Sequence, residues 1–230
     1  MGKNIIIITG SGGGIGSQII KYFPKDSKII ALYNKNKPKK MGKIKLIKMD
    51  LKNVIKTKSK ITKVLKTNDK ITFLNLASIK NDKISYRITK NEIQESFEVN
   101  SFSFFLIIQT ILPFMLRKKW GRIINFSSTG GLKGDRGTLL YTASKYSTLG
   151  MIKVLSQEYA KFNITFNTLK LGNFNTGMYK KLNNKIRKEI LEKIPSGKTG
   201  NVINIFNAIK FILSSDYVNG STISIDGGYR

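Results

Sequence analysis

Residues 4–16 read Asn-Ile-Ile-Ile-Ile-Thr-Gly-Ser-Gly-Gly-Gly-Ile-Gly. Four consecutive isoleucines, each stiff at χ1, suit a strand buried on both faces, as in a parallel sheet. The glycines that follow supply positive φ and let another group approach the backbone closely. A helical pattern then opens at Ile15 and runs over 15–23. Strand, glycine turn and helix in that order point to a dinucleotide cradle. Its turn (Gly10, Ser11, Gly14, Ile15, Gly16) admits a pyrophosphate, and the helix start offers free N–H groups. No Lys-Ser/Thr pair follows the glycines, so the motif is not a P-loop.

Outward from this unit the same alternation repeats. Apolar, β-rich runs at 28–33, 44–49, 71–75, 121–126, 164–169 and 222–225 read as strands. Helical patterns occupy 54–65, 92–117, 139–162, 179–194 and 202–213. This predicts an α/β fold with a single Rossmann-type, doubly wound parallel sheet of about seven strands and helices on both faces. One domain spans 1–230, with no linker or internal repeat. The link at 34–43 carries Pro38 and has room for barely two helical turns, so its crossover helix is expected to shrink to a turn or loop.

The chain has 230 residues, no Cys and no His. That excludes disulfides, a Cys/His metal site and any His-based triad, and no metal site is expected. A general acid–base must then be Tyr, Lys, Asp or Glu. The net charge of +28 is mostly lysine. Lysine, isoleucine and asparagine share A/T-rich codons, so a biased genome would yield this composition without a nucleic-acid partner. The lysines crowd at 35–70, with 14 basic residues against two acidic ones. No aromatics interleave them as a single-strand binder would need. An electropositive rim that draws in an anionic cofactor or an acidic carrier protein is the alternative to that compositional reading. No charged leader with a long apolar core precedes the first strand. The apolar stretch 102–116 is interrupted by Gln109, Thr110 and Pro113 and reads as too short to span a bilayer. A soluble cytoplasmic protein is therefore expected.

Tyr141 and Lys145 stand four residues apart and share one helix face, with Ser128 thirteen residues upstream. An ammonium beside a phenol favours the phenolate, and a Tyr tuned in this way can exchange a proton with a substrate oxygen. The second strand ends in Asn34-Lys35, with Lys37 nearby and no carboxylate. A carboxylate there would bind a ribose 2′-OH; Asn34 and Lys35 suit a 2′-phosphate instead, which favours NADP(H), with NAD(H) the alternative. Asp50-Leu51, closing the third strand, suits the adenine edge.

Together these residues resemble the short-chain dehydrogenase/reductase family in its compact single-domain branch, over essentially the whole chain. Thr9, Gly10, Gly14 and Gly16 match the glycine motif, and Asn100 matches the family's fourth-helix Asn. Ser128, Tyr141 and Lys145 match its active-site residues. Residues 218–220 through 226–228 resemble its closing pattern. The resemblance implies hydride transfer between nicotinamide C4 and a carbonyl or secondary alcohol. Tyr141 would be the acid–base, Ser128 would hold the substrate oxygen, and Lys145 would lower the Tyr pKa and hold the nicotinamide ribose. Asn100 would anchor a water linking Lys145 to solvent. Asn75, Ala77 and Ser78 would line the cofactor, with Ser78 in place of a family glycine. Gly172, Phe174 and Thr176 would line it from the sixth strand's end, with Leu171 in place of a proline. Gly13 stands where an NADP-binding Arg is often found.

Residues 177–196 would close over the substrate, with Met178, Tyr179 and Leu182 as apolar contacts. Residues 75–82 and 121–124 look most like bacterial 3-oxoacyl-carrier-protein reductases. A reductase of a sugar-derived or other small secondary alcohol is the alternative. A non-catalytic NADP(H) sensor and a nucleic-acid-binding protein are the readings from other classes. The family also implies a homodimer or homotetramer through 92–117 and 139–162, with Phe102, Phe105 and Ile108 as candidate contacts.

Overall fold

The four isoleucines of β1 (Asn4–Thr9) divide two and two between the faces of a seven-stranded sheet. Ile5 and Ile7 join one buried cluster, and Ile6 and Ile8 the other. The structure, a computed structural model, describes residues 4–229, apart from the side chain of Met178. The other strands are β2 (Lys28–Tyr33), β3 (Ile44–Lys48), β4 (Lys70–Asn75), β5 (Gly121–Ser128), β6 (Ile164–Leu171) and β7 (Thr222–Ile225). All pair in parallel in the order β3-β2-β1-β4-β5-β6-β7. The order reverses between β1 and β4, and ligands bind such sheets at the crevice this opens beyond the strands' carboxyl ends.

The helices are α1 (Gly14–Ile19), α2 (Val54–Thr57), α3 (Ser59–Thr62), α4 (Lys90–Phe97), α5 (Ser103–Lys118), α6 (Thr129–Lys133), α7 (Leu139–Tyr159), α8 (Gly177–Lys180), α9 (Asn184–Glu192) and α10 (Val202–Ser214). Phe104, Ile107 and Ile111 of α5 and Ile152 of α7 cover one face of the sheet. Ile19 of α1 and Ile205, Ile209 and Ile212 of α10 cover the other. Each such fully buried side chain contributes roughly 1.5–3 kcal/mol of transfer free energy.

The 34–43 link carries no helix, as its length and Pro38 require. Elsewhere the boundaries move for local reasons. Helix α4 starts before 92 because Thr89 and Glu92 form a reciprocal capping box. A π-helical segment, Glu98–Phe102, joins α4 to α5 and holds Asn100. Pro113 lies inside α5 without ending it, in keeping with the helix expected through 117. The resulting 29-residue helical run, Lys90–Lys118, is long and apolar enough to cross a membrane by length and composition. Its packing against the core, with 56% of its most apolar window buried, makes it a core helix of this fold. The 54–65 pattern breaks into α2 and α3, and 179–194 into α8 and α9. β5 and β6 each run two residues further than expected, which carries Ser128 to the last position of its strand.

Candidate active site

A one-way chain of hydrogen bonds crosses the carboxyl ends of β1, β4 and β5 and reaches α7. The Ala77 N–H donates to Thr9 Oγ1 (3.2 Å), whose hydroxyl donates to Asn75 Oδ1 (2.8 Å). Asn75 Nδ2 donates to Asn125 Oδ1 (3.0 Å), and Asn125 Nδ2 to Thr148 Oγ1 (3.0 Å). The Thr148 hydroxyl donates in turn to the Lys145 carbonyl at 2.8 Å. Strand register makes this possible: Thr9, Asn75 and Asn125 lie abreast. Every member is buried or half-buried and partnered, so the network fixes α7 rotationally against the sheet.

Asn100 adds a second clamp. Its Oδ1 accepts from the Ile79 N–H (2.8 Å), and its Nδ2 donates to the Ile79 carbonyl (2.9 Å) and to Ser144 Oγ (3.0 Å). Both amide protons are thereby committed, which leaves one Oδ1 lone pair for the expected water. Asn100 ties the loop after β4 to α7.

These supports bring Ser128, Tyr141 and Lys145 to one cleft of about 330 Å³, bounded by Gly14, Ile15 and Gly16 on one side and Gly172, Phe174 and Thr176 on the other. Lys145 is 3% exposed; its Nζ donates to the Phe126 carbonyl at 2.9 Å and lies 5.6 Å from the centroid of the Tyr141 ring. Burial pushes the Lys145 ammonium down to about 8. Tyr141 is 5% exposed, and burial pushes its phenol above the ordinary value against the downward pull of hydrogen bonds from Ser128 and Ser78. The expectation that Lys145 depresses this pKa is therefore corrected. In the protein without ligands, desolvation outweighs every other influence on the phenol, and the groups that lower it are the two serine hydroxyls.

A second cleft of about 520 Å³ continues from the first, sharing Gly10, Gly13, Leu76 and Ser78 with it. Asn34, Lys35, Asp50, Leu51 and Ala77 line it. Asn34 Nδ2 reaches Asp50 Oδ1 at 3.5 Å, and Asp50 also accepts from the Lys52 N–H at 3.1 Å. Three sequence-derived candidates do not line either cleft. Ser11 turns inward, its N–H and hydroxyl both on the Leu32 carbonyl at 3.2 and 2.8 Å. Asn75 and Asn100 are buried in the two clamps described above. All three act as supports.

The joined clefts fit an extended dinucleotide because the turn between them has no room for side chains. A Cβ on Gly14 would lie 2.4 Å from the Gly177 Cα, and one on Gly16 2.3 Å from the Gly10 carbonyl oxygen. Gly10 itself has φ +64°. The segment after β6 is strapped over this turn: Gln18 Nε2 donates to Thr176 Oγ1 at 2.8 Å. Sequence reasoning missed Lys52 and Glu95, which meet at 2.6 Å and line the larger cleft. It also missed Ser144 and Thr148. Their spacing from Tyr141, three and seven residues, was the available signal, since it continues one helix face.

Residues 4–187 match the family model described as short chain dehydrogenase. The chain is similar to the 3-oxoacyl-[acyl-carrier-protein] reductase FabG of Rickettsia conorii, with 32% identity over 237 residues, covering 96% of this chain and 95% of that protein. Among solved structures it is similar to "ElxO with NADP Bound" (TM-score 0.87, 21% identity, 99% of this chain and 98% of that one). It is also similar to "4-hydroxyisoleucine dehydrogenase complexed with NADH" (TM-score 0.83, 25% identity, with the same coverage).

Proposed function

Because the chain belongs to the short-chain dehydrogenase family, we propose that this oxidoreductase is an NADP(H)-dependent ketoreductase of 3-oxoacyl thioesters borne on an acidic carrier protein. The observation that carries the reading is the convergence of Ser128, Tyr141 and Lys145 in a cleft that opens onto the glycine turn.

When bound, NADPH supplies the hydride. The turn at Gly10–Gly16 would accommodate its pyrophosphate, Asn34 and Lys35 would hold the 2′-phosphate, and Asp50 and Leu51 would border the adenine. Tyr141 gives its proton to the substrate oxygen as negative charge develops there. Ser128 donates a hydrogen bond to the same oxygen and orients it. Lys145, which lines the same cleft, would hold the nicotinamide ribose. With its pKa drawn down to about 8, it can restore the tyrosine's proton near neutral pH. The remaining Oδ1 lone pair of Asn100 is the place for a relay water. Tyr179, 9% exposed and facing the same cleft, supplies an apolar wall. The side chain of Met178 lies outside the described residues.

Sequence similarity to carrier-protein reductases over nearly the whole of both chains supports the thioester substrate. So does charge: residues 177–196 expose Lys180, Lys181, Lys185 and Lys188, a surface suited to an acidic carrier. NADH is the alternative cofactor, in keeping with the NADH complex of the similar dehydrogenase. Phe102 (50% exposed) of the π-helical segment, Phe105 (40%) of α5 and Val154 (57%) of α7 leave uncovered apolar surface, which supports a homodimer or homotetramer. Ile108 is fully buried and belongs to the core instead. A cytoplasmic location goes with this reading. The test is oxidation of NADPH and NADH with a short 3-oxoacyl thioester, by the wild type and by Tyr141→Phe. Turnover that prefers NADPH and is lost in the variant supports the proposal; saturable NADPH binding without turnover rejects the thioester.

A further inference from the structure

Tyr141 shares its cleft with two serines, Ser128 and Ser78, whose hydroxyls favour its phenolate. Ser128 closes β5, and Ser78 belongs to the loop after β4. Ser78 stands at the seam of the two clefts and lines both. Its position is fixed from either side. The preceding Ala77 N–H is held by Thr9, and the following Ile79 is held at both its N–H and its carbonyl by Asn100. A glycine here would offer no side chain to the phenol.

A serine hydroxyl has one proton to donate. Once Ser128 gives that hydrogen bond to a substrate oxygen, it cannot also give it to the tyrosine. We propose that Ser78 is a second hydroxyl donor to Tyr141 Oη, a positioning residue that keeps the tyrosine hydrogen-bonded while Ser128 serves the substrate. The inference rests on the acid–base reading of Tyr141 above. During reduction, hydride from the reduced nicotinamide reaches the carbonyl carbon and the C=O π pair moves to oxygen. The Tyr141 O–H bond then breaks, its proton passes to that oxygen, and its electron pair stays behind as phenolate. Ser78 donates to the phenolate without breaking any bond of its own. Its hydrogen bond strengthens as charge develops, which is the kind of interaction that raises kcat rather than ground-state binding.

The charged surroundings of the phenol are simple. Lys145 shares its helix and is the one charged residue lining this cleft among the described residues. Asp82, from the β4 loop, disfavours the phenolate. Helix α6 presents Gly131 to the ring, while its charged residue, Lys133, reaches the Tyr229 ring at 5.5 Å.

The experiment compares Ser78→Ala, Ser78→Gly and Ser78→Thr. The ultraviolet ionisation signal of Tyr141 is titrated in protein free of nucleotide, as the difference between each protein and its Tyr141→Phe counterpart. Carbonyl-reduction kinetics are measured alongside. In the alanine and glycine variants, ionisation moves to higher pH and kcat at pH 7 falls roughly three- to tenfold with KM little changed. The threonine variant, which keeps a hydroxyl, stays near wild type. An unmoved titration and an unchanged kcat in either folded hydroxyl-free variant overturn the proposal. The titration needs no turnover, so the two readings fail separately. A shifted titration in a protein that reduces no carbonyl would sink the proposed function and leave only the Ser78–Tyr141 hydrogen bond.

Discussion

Replacing Lys145 with Met removes a buried ammonium whose effect on stability has a definite sign and pH window. In the folded protein the group releases its proton near pH 8, against 10.5 ordinarily. Below pH 8 both folded and unfolded chains carry the proton, and the folded state bears the full cost of burying it. Between 8 and 10.5 the unfolded chain binds more protons, so wild-type stability rises with pH. At about 1.36 kcal/mol per unit, that gap corresponds to about 3 kcal/mol, of which about 2 kcal/mol falls between pH 7.5 and 9.5. The methionine variant lacks this slope. It also leaves the Phe126 carbonyl without the Lys145 donor, but that offset does not vary with pH. Tyr141 acts oppositely: its raised folded pKa makes stability fall above its ordinary value of 10.0, so the window should close below that. The assay is urea unfolding followed by circular dichroism at half-unit steps from pH 7.5 to 9.5. Wild type should gain about 2 kcal/mol relative to Lys145→Met across the series. Parallel stability curves would refute the claim that this lysine is buried as a strained cation.

Two further outcomes follow from the supports and the cofactor end. Asn34→Asp sets a carboxylate beside Asp50, where Asn34 Nδ2 now reaches Asp50 Oδ1 at 3.5 Å. The ratio of kcat/KM for NADPH to that for NADH should fall at least about tenfold, since the new charge repels a 2′-phosphate and favours a 2′-OH. Asn100→Ala strips three hydrogen bonds and leaves both backbone groups of Ile79 without these partners. It should cost about 2–3 kcal/mol and lower Tm on the order of 5–10 °C by calorimetry.

Much of this molecule is legible in the sequence because its signals are local. The run Ile5–Ile8 followed by glycines needs no tertiary information to be read as buried strand and turn, and Tyr141 and Lys145 declare a shared face by spacing alone. Other features depended on partners distant in sequence. Asn75 and Asn100 read as cofactor or water contacts, and the hydrogen bonds that also tie them into the fold come from groups that only strand register and the π-helical segment bring near. The Tyr141 pKa went the other way because burial, which no spacing reveals, outweighs a neighbouring cation whose own charge burial also disfavours. The start of α4 was set by a capping box that lay in plain view at Thr89 and Glu92, ahead of the apolar periodicity used to find the helix. Pro113 is tolerated because a proline inside a long, well-packed helix loses one hydrogen bond and keeps the burial of its neighbours.

The central claim is hydride transfer to a carbonyl carbon with Tyr141 as proton donor. NADPH deuterated at C4, in separate pro-R and pro-S forms, tests it directly when incubated with a short 3-oxoacyl thioester and the product is analysed by mass spectrometry. One of the two forms should deliver its deuterium to C3 of the hydroxyacyl product, and Tyr141→Phe should slow that transfer by at least about a hundredfold. A reduced product without deuterium from either form, or undiminished transfer in the variant, would contradict it.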